Sequence, residues 1–401
     1  MVREEQPLRI LLVEFNPSGG LFQFSFQLGE ALAARGHRVE LLTGPRPELR
    51  PGTSGLVLRD VLPTWHAGAG TVEPWLARKL RRAVRAARYV AAWLRVLGRL
   101  REGAVDAVVW SEWRFALDGW FVARADRLAR RPVLALVAHE PRPVGEQRRR
   151  GSLYKSGWLL RRSLASAFHR MDAVFVLGEQ TAAGVRRLWP RVRRVTVIPH
   201  GDEGALTRAE VPPAEEAPPS VLFFGTWTRY KGLELLLDAF ALVRRALPEA
   251  TLVVAGGVGA DVDVAALRAR AARVRGVRLR PGYVPLPEVA GLVGASRVVA
   301  VPYLRGTQSG VVHLAQTFGR PVVATAVGDI PAAVADGEAG IVVPPGDARA
   351  LAVGLERLLR DPHEAGRLGR EARRRVTRHG SWDGIAGRVA AVLADARTDA
   401  R

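Results

Sequence analysis

Strand-sized runs of apolar residues alternate with helix-length segments along the whole chain. A strand followed by a helix and another strand is the βα unit that builds parallel sheets. Six runs precede His200 and six follow it, so the sequence predicts an α/β protein with two Rossmann-like, doubly wound domains. The runs cover residues 8–13, 39–42, 105–110, 133–137, 173–177 and 195–198, and then 221–224, 251–255, 277–279, 298–301, 322–324 and 341–343.

A stretch rich in proline and glutamate separates the two sets of runs. Residues 202–219 include four prolines, which is typical of a stiff polar connector. We therefore expect an N-terminal domain over residues 1–201, a linker over 202–219 and a C-terminal domain over 220–380. Two such domains facing across a cleft would hold a ligand at the carboxyl ends of their strands.

The chain contains no cysteine, which excludes disulfides, thiolate catalysis, iron–sulfur clusters and cysteine-ligated zinc. Its eight histidines form neither a His-x-x-x-His nor a His-Glu-x-x-His pattern, so we expect no metal. The segment 256–259 lacks the full GxGxxG motif of a nicotinamide site, and we expect no cofactor. The first residues lack an apolar leader, and no run reaches the ~18 apolar residues of a membrane-spanning helix. A cytoplasmic location is the expectation.

The net charge of +21 is carried mostly by the first half of the chain: residues 1–200 hold 34 basic and 17 acidic side chains. Residues 76–101 and 142–162 are the densest basic segments. The first has the pattern of an amphipathic helix with an apolar stripe formed by Leu76, Leu80, Val84, Ala87 and Leu94. This pattern favours either peripheral contact with anionic lipid or an ordinary surface helix that packs its apolar stripe on a sheet. No nucleic-acid recognition module accompanies the charge, so we expect no nucleic-acid partner.

Two strand ends have the pattern of a phosphate site. The turn 225–232 follows the predicted strand 221–224, carries Arg229 and Lys231, and leads into a helix. The segment 302–311 also leaves a strand and enters a helix. Free amide groups and the positive end of the dipole attract anions at a helix N-terminus, and nearby cations strengthen that attraction. The sequence therefore predicts that these two turns bind phosphate.

Further motifs occur in a fixed order. They are Gly19-Gly20 before a helix, Gly36-His37-Arg38-Val39, Val197-Ile198-Pro199-His200-Gly201, the Lys231-Gly232 turn, Gly319-Arg320-Pro321-Val322, Gly328-Asp329-Ile330-Pro331 and the run from Asp336 to Asp347. This order resembles the GT-B retaining glycosyltransferases of family four, the glycosyl transferases group 1, over nearly the whole chain. The resemblance implies that the C-terminal helix, residues 381–401, crosses back to the N-terminal domain.

The resemblance also implies roles for individual residues. Lys231 would grip the donor diphosphate, the backbone at 309–311 would cap it, and His139 would lie near the reacting sugar. The implied catalytic residues are His139, Lys231 and Arg229. The implied donor-binding residues are Gly19, Gly20, Gly225, Thr226, Tyr283, Val284, Thr307, Gln308, Ser309, Gly310 and Val311, and the acceptor-side residues are Glu140, Glu112 and Trp113.

Two departures from the family pattern concern charge. The arginine that the family places five residues before the lysine is Thr226 here, and Arg229 could supply the missing guanidinium. The family's paired glutamates, with seven residues between them, fall at Gly306 and Leu314, and a third glutamate falls at Ala332. Thr307, Gln308 and Ser309 offer hydroxyl and amide groups that could replace these carboxylates.

The resemblance implies a retaining hexosyltransferase that moves a sugar from a nucleotide diphosphate sugar to a lipid-linked or polysaccharide acceptor. The basic segments would place it in peripheral contact with the inner face of an anionic membrane. The missing glutamates keep a non-catalytic sugar-nucleotide-binding paralogue open as an alternative, and a GT-B epimerase is another. The pair Asp261 and Asp263 matches a metal-binding DxD, but its position before a helix favours capping.

Overall fold

The computed structural model describes residues 6–66, 75–113, 115–140, 158–204 and 210–399. The chain divides into two compact units. The N-terminal unit comprises the described residues up to Pro199 together with the last helix, and the C-terminal unit comprises residues 200–381. The last helix, which begins at Trp382, therefore belongs to the same unit as the first strand.

The N-terminal unit is built on a parallel sheet of seven strands in the order β3-β2-β1-β4-β5-β6-β7. Helices cover both faces, which explains why strands such as β4 are apolar at every position. The strands are β1 (Arg9–Val13), β2 (Arg38–Leu42), β3 (Leu56–Arg59), β4 (Ala107–Trp110), β5 (Val133–Ala138), β6 (Ala173–Val176) and β7 (Val195–Val197). The helices are α1 (Gly20–Ala34), α2 (Trp75–Arg101), α3 (Ala116–Ala125), α4 (Trp158–Phe168) and α5 (Glu179–Leu188).

The C-terminal unit is built on a parallel sheet of six strands in the order β10-β9-β8-β11-β12-β13. Helices again cover both faces, with one apolar cluster on each side. The strands are β8 (Ser220–Phe224), β9 (Thr251–Gly256), β10 (Val277–Pro281), β11 (Val298–Val301), β12 (Val322–Thr325) and β13 (Gly340–Val343). The helices are α6 (Leu233–Ala246), α7 (Val264–Ala272), α8 (Leu286–Gly294), α9 (Gly310–Thr317), α10 (Ile330–Val334), α11 (Ala348–Arg360) and α12 (Pro362–His379).

The prediction of two doubly wound parallel α/β domains is confirmed. All twelve predicted runs correspond to strands, and β3 was missed. This strand has four residues and lies at the sheet edge, where alternate residues are exposed, so its sequence lacks the continuous apolar run of the central strands.

The last helix, α13 (Trp382–Asp399), packs on the N-terminal sheet. Its residues Ile385, Val389 and Leu393 are buried in the same apolar cluster as strands β1 and β5. Ion pairs fasten both ends, since Arg35 contacts Asp383 at 2.7 Å and Arg194 contacts Asp399. The helix therefore completes one face of the N-terminal core.

Two buried arginines dock the proline-rich connector on the C-terminal unit. The guanidinium of Arg320 donates to the carbonyl of Pro212 at 2.6 Å and to that of Gly294 at 2.7 Å, and Arg297 donates to the carbonyl of Ala217 at 3.0 Å. Burial lowers the pKa of Arg320 to about 10, so it stays charged at neutral pH. The connector that the sequence presents as a polar spacer is thus fixed to the unit that follows it.

The orientation of α2 contradicts one of its two predicted alternatives, a surface helix that packs its apolar stripe on the sheet. Tyr89, Trp93 and Val96 face the core, whereas Leu80 and Leu94, which belong to the predicted apolar stripe, are 69% and 54% exposed. The stripe is therefore not packed on the sheet. Among the described residues, no helix is both long and apolar enough to cross a bilayer.

Candidate functional site

The turn after β8 lies close to the end of the neighbouring strand β9. The amide of Gly225 donates to the carbonyl of Ala255 at 3.0 Å, and the amide of Trp227 donates to that of Gly257 at 2.7 Å. Gly225 has a φ of +110°, a conformation that other residues rarely adopt. The turn then forms a single 3₁₀ turn, Arg229–Lys231, and enters α6 through Gly232.

Lys231 projects over an aromatic ring. Its Nζ lies 5.4 Å from the centre of the Tyr303 ring and would lie 3.0 Å from a Cβ placed on Gly225. Burial lowers the pKa of Lys231, and its ammonium forms no ion pair with any residue in the described ranges. A buried cation without a carboxylate is costly unless an anion joins it, so this position favours an anionic ligand.

Arg229 and Thr226 face outward. Both side chains are exposed, and the amide of Arg229 donates to Asp261 at 3.2 Å. Asp263 accepts from the amide of Ala266 at 3.0 Å and caps α7. Only the second acid of the DxD pair therefore caps a helix, because Asp261 instead holds the turn that carries Arg229.

The start of α9 has the features of an anion site. No acidic residue lies in its first turn, and none of the side chains that the structure describes caps it. The hydroxyl of Ser309, the N-cap residue, instead donates to the Tyr303 hydroxyl at 3.1 Å. Tyr303 is buried, which raises its pKa to about 12. It therefore connects Lys231 with the helix start, and sequence reasoning assigned it no role although it follows Pro302 at the end of β11.

Two buried polar atoms, one in the loop before α9 and one in the turn after β8, have no partner among the described residues. The side-chain oxygens Oε1 of Gln308 and Oγ1 of Thr228 are buried and make no hydrogen bond to any described residue. The Thr307 carbonyl accepts from the amide of Asp329 at 2.6 Å, and a Cβ on Gly328 would overlap that carbonyl. The loop is thus held against the turn before α10 while Gln308 keeps an unused acceptor.

The remaining predicted donor residue pair lies after β10. Tyr283 is 52% exposed, whereas Val284 is buried in the cluster that contains α8 and α9. The amide of Gly282 donates to the carbonyl of Gly256 at 2.9 Å, which brings this loop to the end of β9. The turns after β8, β10 and β11 therefore all lie at the carboxyl edge of one sheet.

In the N-terminal unit the predicted acceptor-side residues come together. Glu112, Trp113, His139 and Glu140 line one small cavity of about 30 Å³ at the ends of β4 and β5. The ring of Phe24 meets the His139 ring edge-on, with centroids 5.4 Å apart. These four residues come from the ends of two different strands and are neighbours in space.

The glycine pair lies at the start of α1. Gly19 has a φ of +87°, and a Cβ on either Gly19 or Gly20 would have no atom of a described residue within 4 Å. The Gly19 amide donates to Glu48 at 3.1 Å. Sequence reasoning missed Glu14, whose buried carboxylate accepts from the hydroxyl of Ser111 and from the amide of Asn16 at 2.7 Å, because a single acid after a strand carries no recognisable pattern.

Sequence comparison matches two family models to the chain. A model described as "Glycosyl transferase 4-like domain" matches residues 19–201, and one described as "Glycosyl transferases group 1" matches residues 218–361. A glycogen synthase of Mycobacterium tuberculosis is 26% identical over 415 aligned positions, which cover 98% of this chain and 96% of the relative.

Solved structures share the fold over almost the full length. Sucrose-phosphate synthase from Thermosynechococcus elongatus superposes with a TM-score of 0.73 at 24% identity, covering 97% of this chain and 98% of that one. HepE from Anabaena, solved in complex with UDP and glucose, gives a TM-score of 0.69 at 16% identity, covering 97% and 100%. At these identities the structural likeness shows the fold, which is the GT-B architecture.

Proposed function

The chain belongs to the glycosyl transferases group 1, and on that premise we propose that it transfers a hexose from a nucleotide diphosphate sugar with retention of anomeric configuration. The acceptor is a lipid-linked or polysaccharide hydroxyl. The observation that carries the donor half of this proposal is the Lys231 ammonium, which is buried over Tyr303 and forms no ion pair with any described residue. An anion at this position would relieve the cost of the buried charge.

The chemistry follows from where charge develops. Breaking the bond between sugar and diphosphate adds negative charge to the leaving group, while the sugar becomes oxocarbenium-like. Fixed cations and aligned amides therefore stabilise the transition state more than the ground state. In this proposal Lys231 and the amides at 309–311 hold the diphosphate, Arg229 approaches from the exposed side of the turn, and the leaving phosphate helps deprotonate the acceptor on the same face.

The other proposed roles follow the two groups of residues described above, one at the carboxyl edge of the C-terminal sheet and one at the ends of β4 and β5. Thr307, Gln308 and Ser309 meet the donor sugar, Tyr283 and Val284 meet the base, and His139 with Glu112, Trp113 and Glu140 serves the acceptor side. HepE has also been solved in complex with UDP-glucose, which makes that compound the first donor to test. We propose no metal cofactor, since the role of a cation on the diphosphate is given to Lys231.

Donor binding and turnover can be tested together. We expect UDP to bind and raise the unfolding temperature, and UDP to be released from UDP-sugars when an acceptor is supplied. Lys231→Ala should lower this turnover about 100-fold or more, the usual cost of removing one transition-state donor. Arg278→Ala removes an exposed charge on β10 and serves as the matched control. Equal activity of Lys231→Ala would contradict the donor assignment.

A non-catalytic sugar-nucleotide binder is the second candidate. The observation that favours it is the absence of carboxylates at Gly306, Leu314 and Ala332, where the family pattern has glutamates. Such a protein would bind UDP or a UDP-sugar through the same turns but release no diphosphate with any acceptor. The turnover assay therefore separates the two candidates.

We also propose a peripheral site on the inner, anionic face of the cytoplasmic membrane. Arginines and exposed apolar side chains share the outer surface of α2, and Trp158 and Leu159 at the start of α4 are exposed as well. Apolar side chains flanked by arginines favour a lipid surface over water alone. Residues 142–157 of the second basic segment lie outside the described ranges.

A further inference from the structure

Two histidine rings stack where the chain enters the C-terminal unit. His200 is the first residue of that unit, and His313 lies in the first turn of α9. Their ring centroids are 4.8 Å apart and their planes differ by 6°. Burial lowers the pKa of His200, and burial together with His200 lowers that of His313 further, so both rings are neutral at neutral pH. Neutral rings at this spacing attract each other.

The His200 ring also lies against the backbone of the first residue of α9. A Cβ placed on Gly310 would lie 3.2 Å from Nε2 of His200, so a larger residue there would require the ring to shift by a few tenths of an ångström. The Nδ1–H donates to the Gly201 carbonyl at 3.2 Å, which fixes the ring plane. The ring therefore supports the first residue of a helix whose initial amides have no side-chain cap.

Further hydrogen bonds hold the segment 200–204 in place. The Glu203 amide donates to the hydroxyl of Thr317, the last residue of α9, at 3.0 Å. The Asp202 amide donates to the Gly380 carbonyl at 3.1 Å, next to the point where the chain leaves the unit. The entering segment is thus attached to both ends of α9 and to the exit, so α9 cannot shift without moving the segment that joins the units.

We propose that His200 and His313 are positioning residues that hold the N-terminus of α9 in the orientation that binds the donor diphosphate. This rests on the proposed function, because it takes the amides at 309–311 as the diphosphate site. By the same contacts, occupation of that site is energetically coupled to the conformation of the segment at Pro199 and His200. A coupling of this kind typically changes affinity between about five- and 150-fold.

Variants of His313 test the proposal most directly, since this residue is only half-buried. We expect His313→Ala to weaken UDP binding about tenfold, within that range, when measured by calorimetry. His313→Phe keeps an aromatic ring against His200 and should bind UDP within about twofold of the unmodified protein. His363→Ala, which removes an exposed histidine on α12, is the matched control. Circular dichroism would verify that each variant is folded.

A purely structural role would lower the unfolding temperature of His313→Ala without changing UDP affinity, and that result would overturn the proposal. Failure of the phenylalanine variant to restore binding would overturn it too. Amide hydrogen exchange measured without nucleotide reports on the order of α9 whether or not the proposed function is correct. Faster exchange at 310–317 in both His313→Ala and His200→Phe, together with weaker UDP binding, supports the positioning role. If the unmodified protein binds no nucleotide, the diphosphate site and the positioning role are both wrong.

Discussion

The Nζ of Lys231 lies 5.4 Å from the centre of the Tyr303 ring, and the Tyr303 hydroxyl accepts from Ser309 at 3.1 Å. The buried Tyr303 therefore links Lys231, in the turn after β8, to the N-cap of α9, the helix that follows the neighbouring strand β11. The ring face attracts the ammonium without neutralising it, whereas a carboxylate would compete with an anionic ligand. This arrangement leaves the charge of Lys231 available to a diphosphate.

The pH dependence of nucleotide binding should follow the deprotonation of the Lys231 ammonium. Burial lowers the pKa of this lysine from its ordinary 10.5, so the free protein loses the charge at a lower pH than an exposed lysine would. A bound diphosphate favours the charged form, so UDP affinity should decline as the pH rises through the lowered pKa. Calorimetry between pH 7 and 10.5 would measure this. The Tyr303 pKa of about 12 keeps that residue neutral throughout. An affinity that is flat up to pH 10.5 would contradict the assignment.

Lys231→Met should make the free protein more stable. The folded chain holds fewer protons than the unfolded chain between the lowered pKa and 10.5, so the contribution of this lysine to stability increases with pH over that window and is unfavourable below it. Replacing the ammonium by an apolar group of similar length removes this cost at neutral pH. The unfolding temperature should rise while UDP binding is lost. A lower unfolding temperature for Lys231→Met would be inconsistent with a desolvated lysine.

Substitutions of Tyr303 should separate its two contacts. Tyr303→Phe keeps the ring beneath Lys231 and removes only the hydroxyl that meets Ser309, so UDP affinity should change less than about threefold. Tyr303→Leu removes the ring face and should weaken UDP binding about tenfold, since a desolvated cation–π contact contributes up to ~2 kcal/mol. Titration calorimetry compares the two variants. Equal losses would mean that the hydroxyl, rather than the ring, matters.

Substitution of Gln308 should weaken binding of the sugar part of the donor more than binding of the nucleotide. Its buried Oε1 has no hydrogen-bond partner among the described residues, and a sugar hydroxyl would satisfy it. Gln308→Met keeps the side-chain length and removes the acceptor. We expect UDP-glucose to bind about tenfold more weakly to this variant while UDP alone binds normally. A buried acceptor increases the affinity only of a ligand that donates a hydrogen bond to it. An equal change for both ligands would place Gln308 at the nucleotide instead.

Arg320→Leu should destabilise the C-terminal unit. The substitution removes a buried guanidinium and leaves the carbonyls of Pro212, Gly294 and Phe318 without this donor. Gly294 and Phe318 are buried, and each orphaned buried group costs about 1–3 kcal/mol, so the free energy of unfolding should fall by at least ~2 kcal/mol. Urea denaturation would measure the change, with Arg278→Leu on the exposed side of β10 as a control. A change below about 1 kcal/mol, the lower end of that cost for a single group, would contradict the docking of the connector.

The α2 surface can be tested with vesicles. Leu80→Ser together with Val84→Ser should lower binding to anionic vesicles about tenfold and leave binding to UDP unchanged, because both side chains are exposed and make no part of the core. Replacing the exposed Arg82 and Arg88 by glutamine should make the remaining binding less dependent on salt. Cosedimentation that does not distinguish the variants from the unmodified protein would contradict a lipid contact through α2.

Strands that are buried on both faces have apolar residues at successive positions, so the strands of both sheets could be predicted from continuous apolar runs. The turn that carries Lys231 was also predictable, since a cation between a strand and a helix is visible in sequence. Tyr303, Glu14 and the pairing of His200 with His313 were not. Each depends on residues far apart in the chain meeting across a helix or a sheet edge, and their single side chains have no local pattern. The helical period of α2 predicted its amphipathicity but not which stripe faces the core.

The location of α13 has a consequence for how the polypeptide matures. One side of the N-terminal sheet is covered by α1 together with Ile385, Val389 and Leu393 of α13, and these three residues are synthesised after the whole C-terminal unit. Until they arrive, that side of the sheet exposes apolar surface, which makes it vulnerable to aggregation during translation. The N-terminal unit therefore cannot complete its fold before the C-terminal unit has been synthesised, so the C-terminal unit can finish folding first. A fragment that ends at residue 199 would lack α13 and expose part of its apolar core to solvent.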